Sequence, residues 1–148
     1  MKKRIALLAA LMLLSLAACG KKESAESKTT ESKTAQGYKD GTYSGEAEVK
    51  EVGGTIKLDI TVSDGKITNV VMQNLDREGK KKGEDYGKSE PLNQGLYSIA
   101  QNSILGTDKL PALLVESQDP DSIDAVSGAT LSRDAFVQAA KVALNGAK

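Results

Sequence analysis

The stretch of this chain with chemical potential is Asp124–Thr130, which reads DAVSGAT. Two hydroxyls, Ser127 and Thr130, bracket Gly128 and Ala129, and a single carboxylate, Asp124, stands three residues ahead. The motif comes immediately before the last helix-like stretch. A helix start with small residues suits a phosphate, because free backbone N–H groups point outward there and the helix dipole favours negative charge. Gly128 and Ala129 would leave room for a bulky group beside the backbone. Each residue also has a purely local use: Thr130 as a helix cap, Gly128 as a bend, Ser127 in turn bonding. The residues alone leave both readings open.

The rest of the composition narrows the chemistry. Among 148 residues there is no histidine or tryptophan, and there is one cysteine, Cys19. Ser127 therefore has no imidazole to activate it, and a conventional triad is excluded. Cysteine-based metal sites and haem ligation by histidine are excluded as well. Asp119, Asp121 and Asp124 raise a divalent-ion site, and with it a metal-dependent hydrolase. The spacing DPDSID, however, lacks the central glycine of a calcium loop, which favours turn formers. Redox chemistry in this chain would need a borrowed cofactor.

The first residues, MKKRIALLAALMLLSLAAC, put Lys2, Lys3 and Arg4 before an apolar run from Ile5 to Ala18. A charged start and a short apolar core make an export signal, too short for a comfortable membrane span. Its end, Leu16-Ala17-Ala18-Cys19, resembles the lipobox of bacterial lipoproteins. That resemblance implies cleavage before Cys19, lipid on its sulfur, and an extracytoplasmic protein anchored to the cell membrane; the alternative is an ordinary cleaved signal that ends in cysteine. Residues 20–37 carry no large apolar side chain and read as a disordered tether. Such a segment spans about 25 Å on average and about 60 Å stretched. Residues 38–148 form one domain with 13 basic and 17 acidic residues, a net charge of −4. An acidic domain without a basic stripe argues against nucleic acid as a partner.

The elements that would position DAVSGAT are legible in outline. Thr42–Val49 reads as a strand with Tyr43 and Val49 inward. Residues 55–62, TIKLDITV, alternate cleanly with Ile56, Leu58, Ile60 and Val62 on one face. Asp64-Gly65 is a hairpin signal leading into a return strand over 66–72. Gly53 and Gly54 mark either a turn, the favoured reading, or a close approach of backbone to a ligand. Residues 75–90 read as a charged, solvated loop. Pro91 fits a first helical turn, with Leu92, Leu96, Ile99, Ala100 and Ser103 at helical spacing up to Gly106. Periodicity leaves 110–118 as either helix or strand. Residues 131–146 form the last helix, with Phe136, Ala139, Ala140, Ala143 and Leu144 as its apolar stripe. Hairpins followed by helices predict an α+β fold, a small twisted antiparallel sheet packed against C-terminal helices.

DAVSGAT, with the hairpin segment YKDGTYSGEAEVKEVGGTIKLDITVSDGKITNV upstream and a helix downstream, resembles the FMN-binding domain family. That domain occurs in the C subunit of sodium-pumping quinone reductases, in the G subunit of related complexes, and in lipoproteins of extracellular electron transfer. The resemblance covers most of residues 38–148. It implies FMN joined covalently by a phosphoester to Thr130, installed by a flavin transferase that uses FAD and magnesium. It also implies that Asp124, Ser127, Gly128, Ala129 and Leu131 adjoin the cofactor. The implied role is that of an electron carrier, not an enzyme in its own right, fed by a membrane quinol or dehydrogenase. The alternative is a lipid-anchored ligand-binding module without a covalent cofactor. One departure is visible: the family often carries a Glu-Thr pair after the third strand, and QNLDREGKKKGEDYGK has no clear equivalent.

Overall fold

The computed structural model describes residues 37–148; the expected signal segment, Cys19 and residues 20–36 of the expected tether lie outside the described residues. Three strands come first: β1 (Gly41–Glu48), β2 (Thr55–Ser63) and β3 (Lys66–Leu75). Three helices follow, α1 (Gln94–Thr107), α2 (Leu110–Ser117) and α3 (Thr130–Asn145), with a short 3-10 turn at Pro120–Ser122 before α3. The strands form one antiparallel sheet in the order β1-β2-β3. The fold is α+β, as the hairpin-then-helix pattern predicts.

The strand pattern is carried through in detail. Ile56, Leu58, Ile60 and Val62 are all buried on one face of β2, while Lys57 and Asp59 alternate outward. Asp64 and Gly65 both take positive φ, 54° and 73°, the conformation that lets a two-residue turn match the twist of its strands. Gly53 and Gly54 belong to the turn between β1 and β2, with φ of 71° and 94°. A Cβ on Gly54 would lie 2.3 Å from the Leu75 carbonyl oxygen, so the backbone here approaches its own chain.

Helix α3 lies across β1 and β2, and α2 lies against β3. Phe136, Ala139, Ala140, Ala143 and Leu144 are buried, joined by Leu110, Leu114 and Ile123. The crossing of α3 over the sheet is close because Gly45 has no side chain: a Cβ there would lie 2.2 Å from the Ala139 carbonyl oxygen. Residues 110–117 are helical, with Pro111 in the first turn and Gln118 closing the end at φ 61°. The side-chain amide of Gln118 then accepts from Ile67 N and donates to Ile67 O, each at 2.8 Å. It occupies the free edge of β3 much as a fourth strand would.

One expectation needs correction at α1. The helix begins at Gln94, with the Asn93 side chain accepting from Leu96 N at 3.1 Å, so Pro91 precedes the helix. An asparagine cap satisfies an orphan N–H that proline merely lacks. The apolar repeat on α1 is largely uncovered, with Leu92, Leu96 and Ile99 45%, 61% and 67% exposed. Only the C-terminal end of the helix, at Gly106 and Thr107, is buried. No helix among the described residues is long and apolar enough to cross a membrane.

Candidate functional site

Residues 123–129 run from the 3-10 turn into α3 as a loop braced at both ends. The Arg133 guanidinium donates through Nε to the Ile123 carbonyl at 2.8 Å and through a second nitrogen to the same oxygen. Ala129 N donates to Val126 O at 2.9 Å, closing a turn in which Gly128 takes φ 77°. That conformation favours glycine, because a side chain would crowd the backbone. The turn rests on α1: a Cβ on Gly128 would lie 3.6 Å from Asn102 O, and one on Gly106 would lie 2.9 Å from the Ala129 Cβ.

This geometry changes the meaning of two motif residues. Ala129 is buried against Gly106, so its small size serves a close approach of loop and helix and provides no open space for a ligand. Thr130 does not cap α3. The cap position belongs to Ala129, which makes no side-chain cap hydrogen bond, and Thr130 is the first helical residue. Its side chain is exposed, as are Asp124, Ser127 and Gly128, whereas Leu131 is half-buried. Arg133 N is the first to bond within the helix, to Ala129 O at 2.7 Å. The N–H groups of Thr130, Leu131 and Ser132 are thus left without intrahelical acceptors. No acidic residue stands in the first turn.

Sequence reasoning missed Arg133. A readable signal existed: a cation near a helix N-terminus opposes the dipole, so an arginine there needs another reason, and the Ile123 carbonyl supplies it. The acids upstream are engaged in local structure. Asp119 accepts from Asp121 N and from the Ser122 hydroxyl, both at 3.0 Å, while Asp121 pairs with Lys141. Among the described residues no group of three or more metal-ligating side chains is placed to hold an ion.

The charged segment after β3 is more ordered than a solvated loop. Asp76 accepts from Glu78 N and Lys80 N, and Lys82 N donates to Asn74 O. The rest of the segment docks on α1, where Gln101 donates to the carbonyls of Gly83 and Tyr86 and the Tyr97 hydroxyl donates to Glu84 O. Lys82 is buried, its ammonium 4.9 Å from the centre of the Tyr86 ring. Burial pushes its pKa below the usual lysine range, against a smaller opposing pull from Asp76. Clefts of about 510 Å³ at the β1–β2 turn and about 490 Å³ near the end of α3 lie elsewhere, and neither is lined by any residue from Asp124 to Leu131.

The family model described as the FMN-binding domain matches residues 51–145, which span β2 through the last turn of α3. The chain belongs to the FMN-binding domain family. It is similar to a crystal structure of a protein from Clostridium perfringens, with 30% identity, 74% of this chain and 88% of that chain covered, and a TM-score of 0.56. A solution structure of a Clostridium thermocellum protein also matches at 30% identity, covering 74% and 92% of the two chains with a TM-score of 0.47. No curated protein matches. As a member of the family, this is an FMN-binding flavoprotein domain. The donor set at α3 fits the phosphate end of that cofactor: an exposed, uncapped hydroxyl, neighbouring N–H groups free of helical partners, and no carboxylate in the first turn.

Proposed function

We propose that this protein is a membrane-anchored, extracytoplasmic electron carrier whose FMN is joined to Thr130 by a phosphoester. A flavin transferase installs the cofactor, and electrons arrive from a membrane quinol or dehydrogenase. The observation that carries this reading is that Thr130 stands exposed at the first position of α3 while Ala129 occupies the cap. A threonine there does no capping, so its hydroxyl is available for modification. Sites that retain small molecules by burial are concave. The exposed surface of Asp124, Ser127, Gly128 and Thr130 suits retention by a bond.

Bound FMN supplies one- and two-electron transfer that no side chain of this domain can perform. The protein's own residues provide position and charge. Arg133 fixes the loop before the site through the Ile123 carbonyl, and Gly128 turns the chain so that α3 starts against α1. The open N–H groups of the first turn and the helix dipole hold the phosphate. Cys19 and the segment after it would keep the carrier at the membrane, raising its effective concentration toward a membrane donor.

The test is the Thr130→Ala variant of the full chain, produced beside an active flavin transferase. The parent is expected to keep its yellow absorbance through denaturation and desalting, and the variant to lose it. Because Thr130 is exposed, the variant's folding stability should change by no more than about 0.5 kcal/mol. A variant that still carries flavin after denaturation contradicts the assignment. A parent whose flavin washes out on denaturation favours a reversible binding module instead.

A further inference from the structure

Residues 83–90 carry no buried side chain, and Tyr86 alone among them is even half-buried. The segment therefore gains little from the hydrophobic effect, which scales with the apolar area removed from water. Its hold on the domain is polar: Gln101 and the Tyr97 hydroxyl donate to the carbonyls of Gly83, Glu84 and Tyr86. Bonds of this kind are replaced by bonds to water when a segment leaves, so each contributes modestly. The side chain buried at the root of the segment works against docking. Lys82 lies opposite Asn74, since Lys81 pairs with Leu75 and Lys82 N donates to Asn74 O. Opposed residues of an antiparallel pair share a face, and these two side chains are 8% and 5% exposed. Yet they do not bond to each other. Asn74 Oδ1 has no hydrogen-bond partner, and the Lys82 ammonium faces the Tyr86 ring. Among the described residues no carboxylate lies in ion-pair range of that ammonium. A buried charge and a buried orphan acceptor each carry a penalty that exposure to water relieves.

We infer that residues 82–88 are a strap that opens as a unit while the rest of the domain stays folded, uncovering α1 at Tyr97 and Ala100. The ends of the strap are fixed separately from its middle. On one side Asp76 accepts from Glu78 N and Lys80 N. On the other, the Ser89 hydroxyl accepts from Asn93 N at the cap of α1. Between these anchors the strap lies directly on the helix, where a Cβ on Gly87 would meet the Ala100 Cβ at 2.5 Å. The core cluster around Phe136 includes none of residues 82–88, so the sheet and α3 keep their packing when the strap lifts. Segments held by exposed polar bonds over few apolar contacts open locally, well below the free energy of global unfolding. The open form adds Tyr97 and Ala100 to the surface already bare at Leu96 and Ile99, and it frees Lys82 and Asn74 to water.

Native-state hydrogen exchange of the full chain, in rising urea below the unfolding transition, reads this opening. The amides of Lys82 and Tyr86 bond to Asn74 O and Gly83 O and report the strap. Those of Leu58 and Ile60 on the central strand β2 report the core. Protection of the two strap amides should be lower than that of the β2 amides by about a hundredfold or more. It should also be insensitive to urea, because local opening exposes little surface, whereas protection in β2 falls with the slope of global unfolding. Lys82→Met removes the buried charge and keeps the length of the side chain, so it should raise strap protection by about tenfold. Strap amides that share the protection and urea slope of β2 would overturn the inference, since the segment would then open only with the whole domain. Strap amides that exchange as fast as an unstructured peptide would overturn it too, because no closed state would exist. Low, urea-insensitive protection that Lys82→Met leaves unchanged or lowers would overturn the role given to the buried ammonium.

Discussion

Thr130 owes its availability to its neighbours. Were it one residue earlier, its hydroxyl would accept from a first-turn N–H, as threonine caps do; with Ala129 in the cap position, that bond is not made. Gly128 sets this register by turning at φ 77°, and Arg133 holds the loop in place through the Ile123 carbonyl. Lys82 shows a different kind of cost. Its pKa is lowered mainly by burial, so the folded state releases the ammonium proton at a lower pH than the unfolded chain does. Between the two pKa values the unfolded state holds more protons, and stability rises with pH. The penalty is therefore fully present at neutral pH and is relieved as pH climbs toward the usual lysine range. Lys82→Met should flatten this rise relative to the parent when urea midpoints are measured at neutral and alkaline pH. An identical rise in both proteins would show that Lys82 is not its source.

At the scale of elements, the fit of α3 over the sheet depends on Gly45. Alanine is ordinarily the better strand residue, by roughly 0.5–1 kcal/mol. Here, its Cβ would lie 2.2 Å from Ala139 O and 2.7 Å from Ala143 N. Gly45→Ala is therefore expected to destabilise by about 1–3 kcal/mol, read as a lower urea midpoint at unchanged slope; an unchanged or higher midpoint would contradict the close crossing. The strands were legible because each buries one face: the alternation from Ile56 to Val62 and the Asp64-Gly65 turn survive intact. Helix α3 was legible for the same reason, through its stripe around Phe136. Helix α1 was legible as a helix, but periodicity reports a face without saying what covers it, and Leu96 and Ile99 are left bare. The docking of residues 83–87 on α1 was hidden because it runs through Gln101 and Tyr97 bonds to backbone carbonyls, which leave no pattern in composition. In the site, the motif's position at a helix start was legible. The division of labour between Ala129 and Thr130 was not, since it turns on a one-residue shift in where α3 begins.

At the scale of the molecule, the described residues make a small α+β domain of the FMN-binding family whose motif surface lies open beside two helices. Residues 38–148 carry a net charge of −4. In the proposed carrier, the domain presents its flavin at the surface, where a donor and an acceptor can each approach it. The measurement that tests this most directly is the intact mass of residues 20–148 produced with and without an active flavin transferase, followed by peptide mapping. The account predicts a gain equal to one FMN minus water, dependent on the transferase and confined to the peptide that holds Thr130. No gain beside a control protein that is flavinylated, or a gain mapped to another peptide, would contradict it.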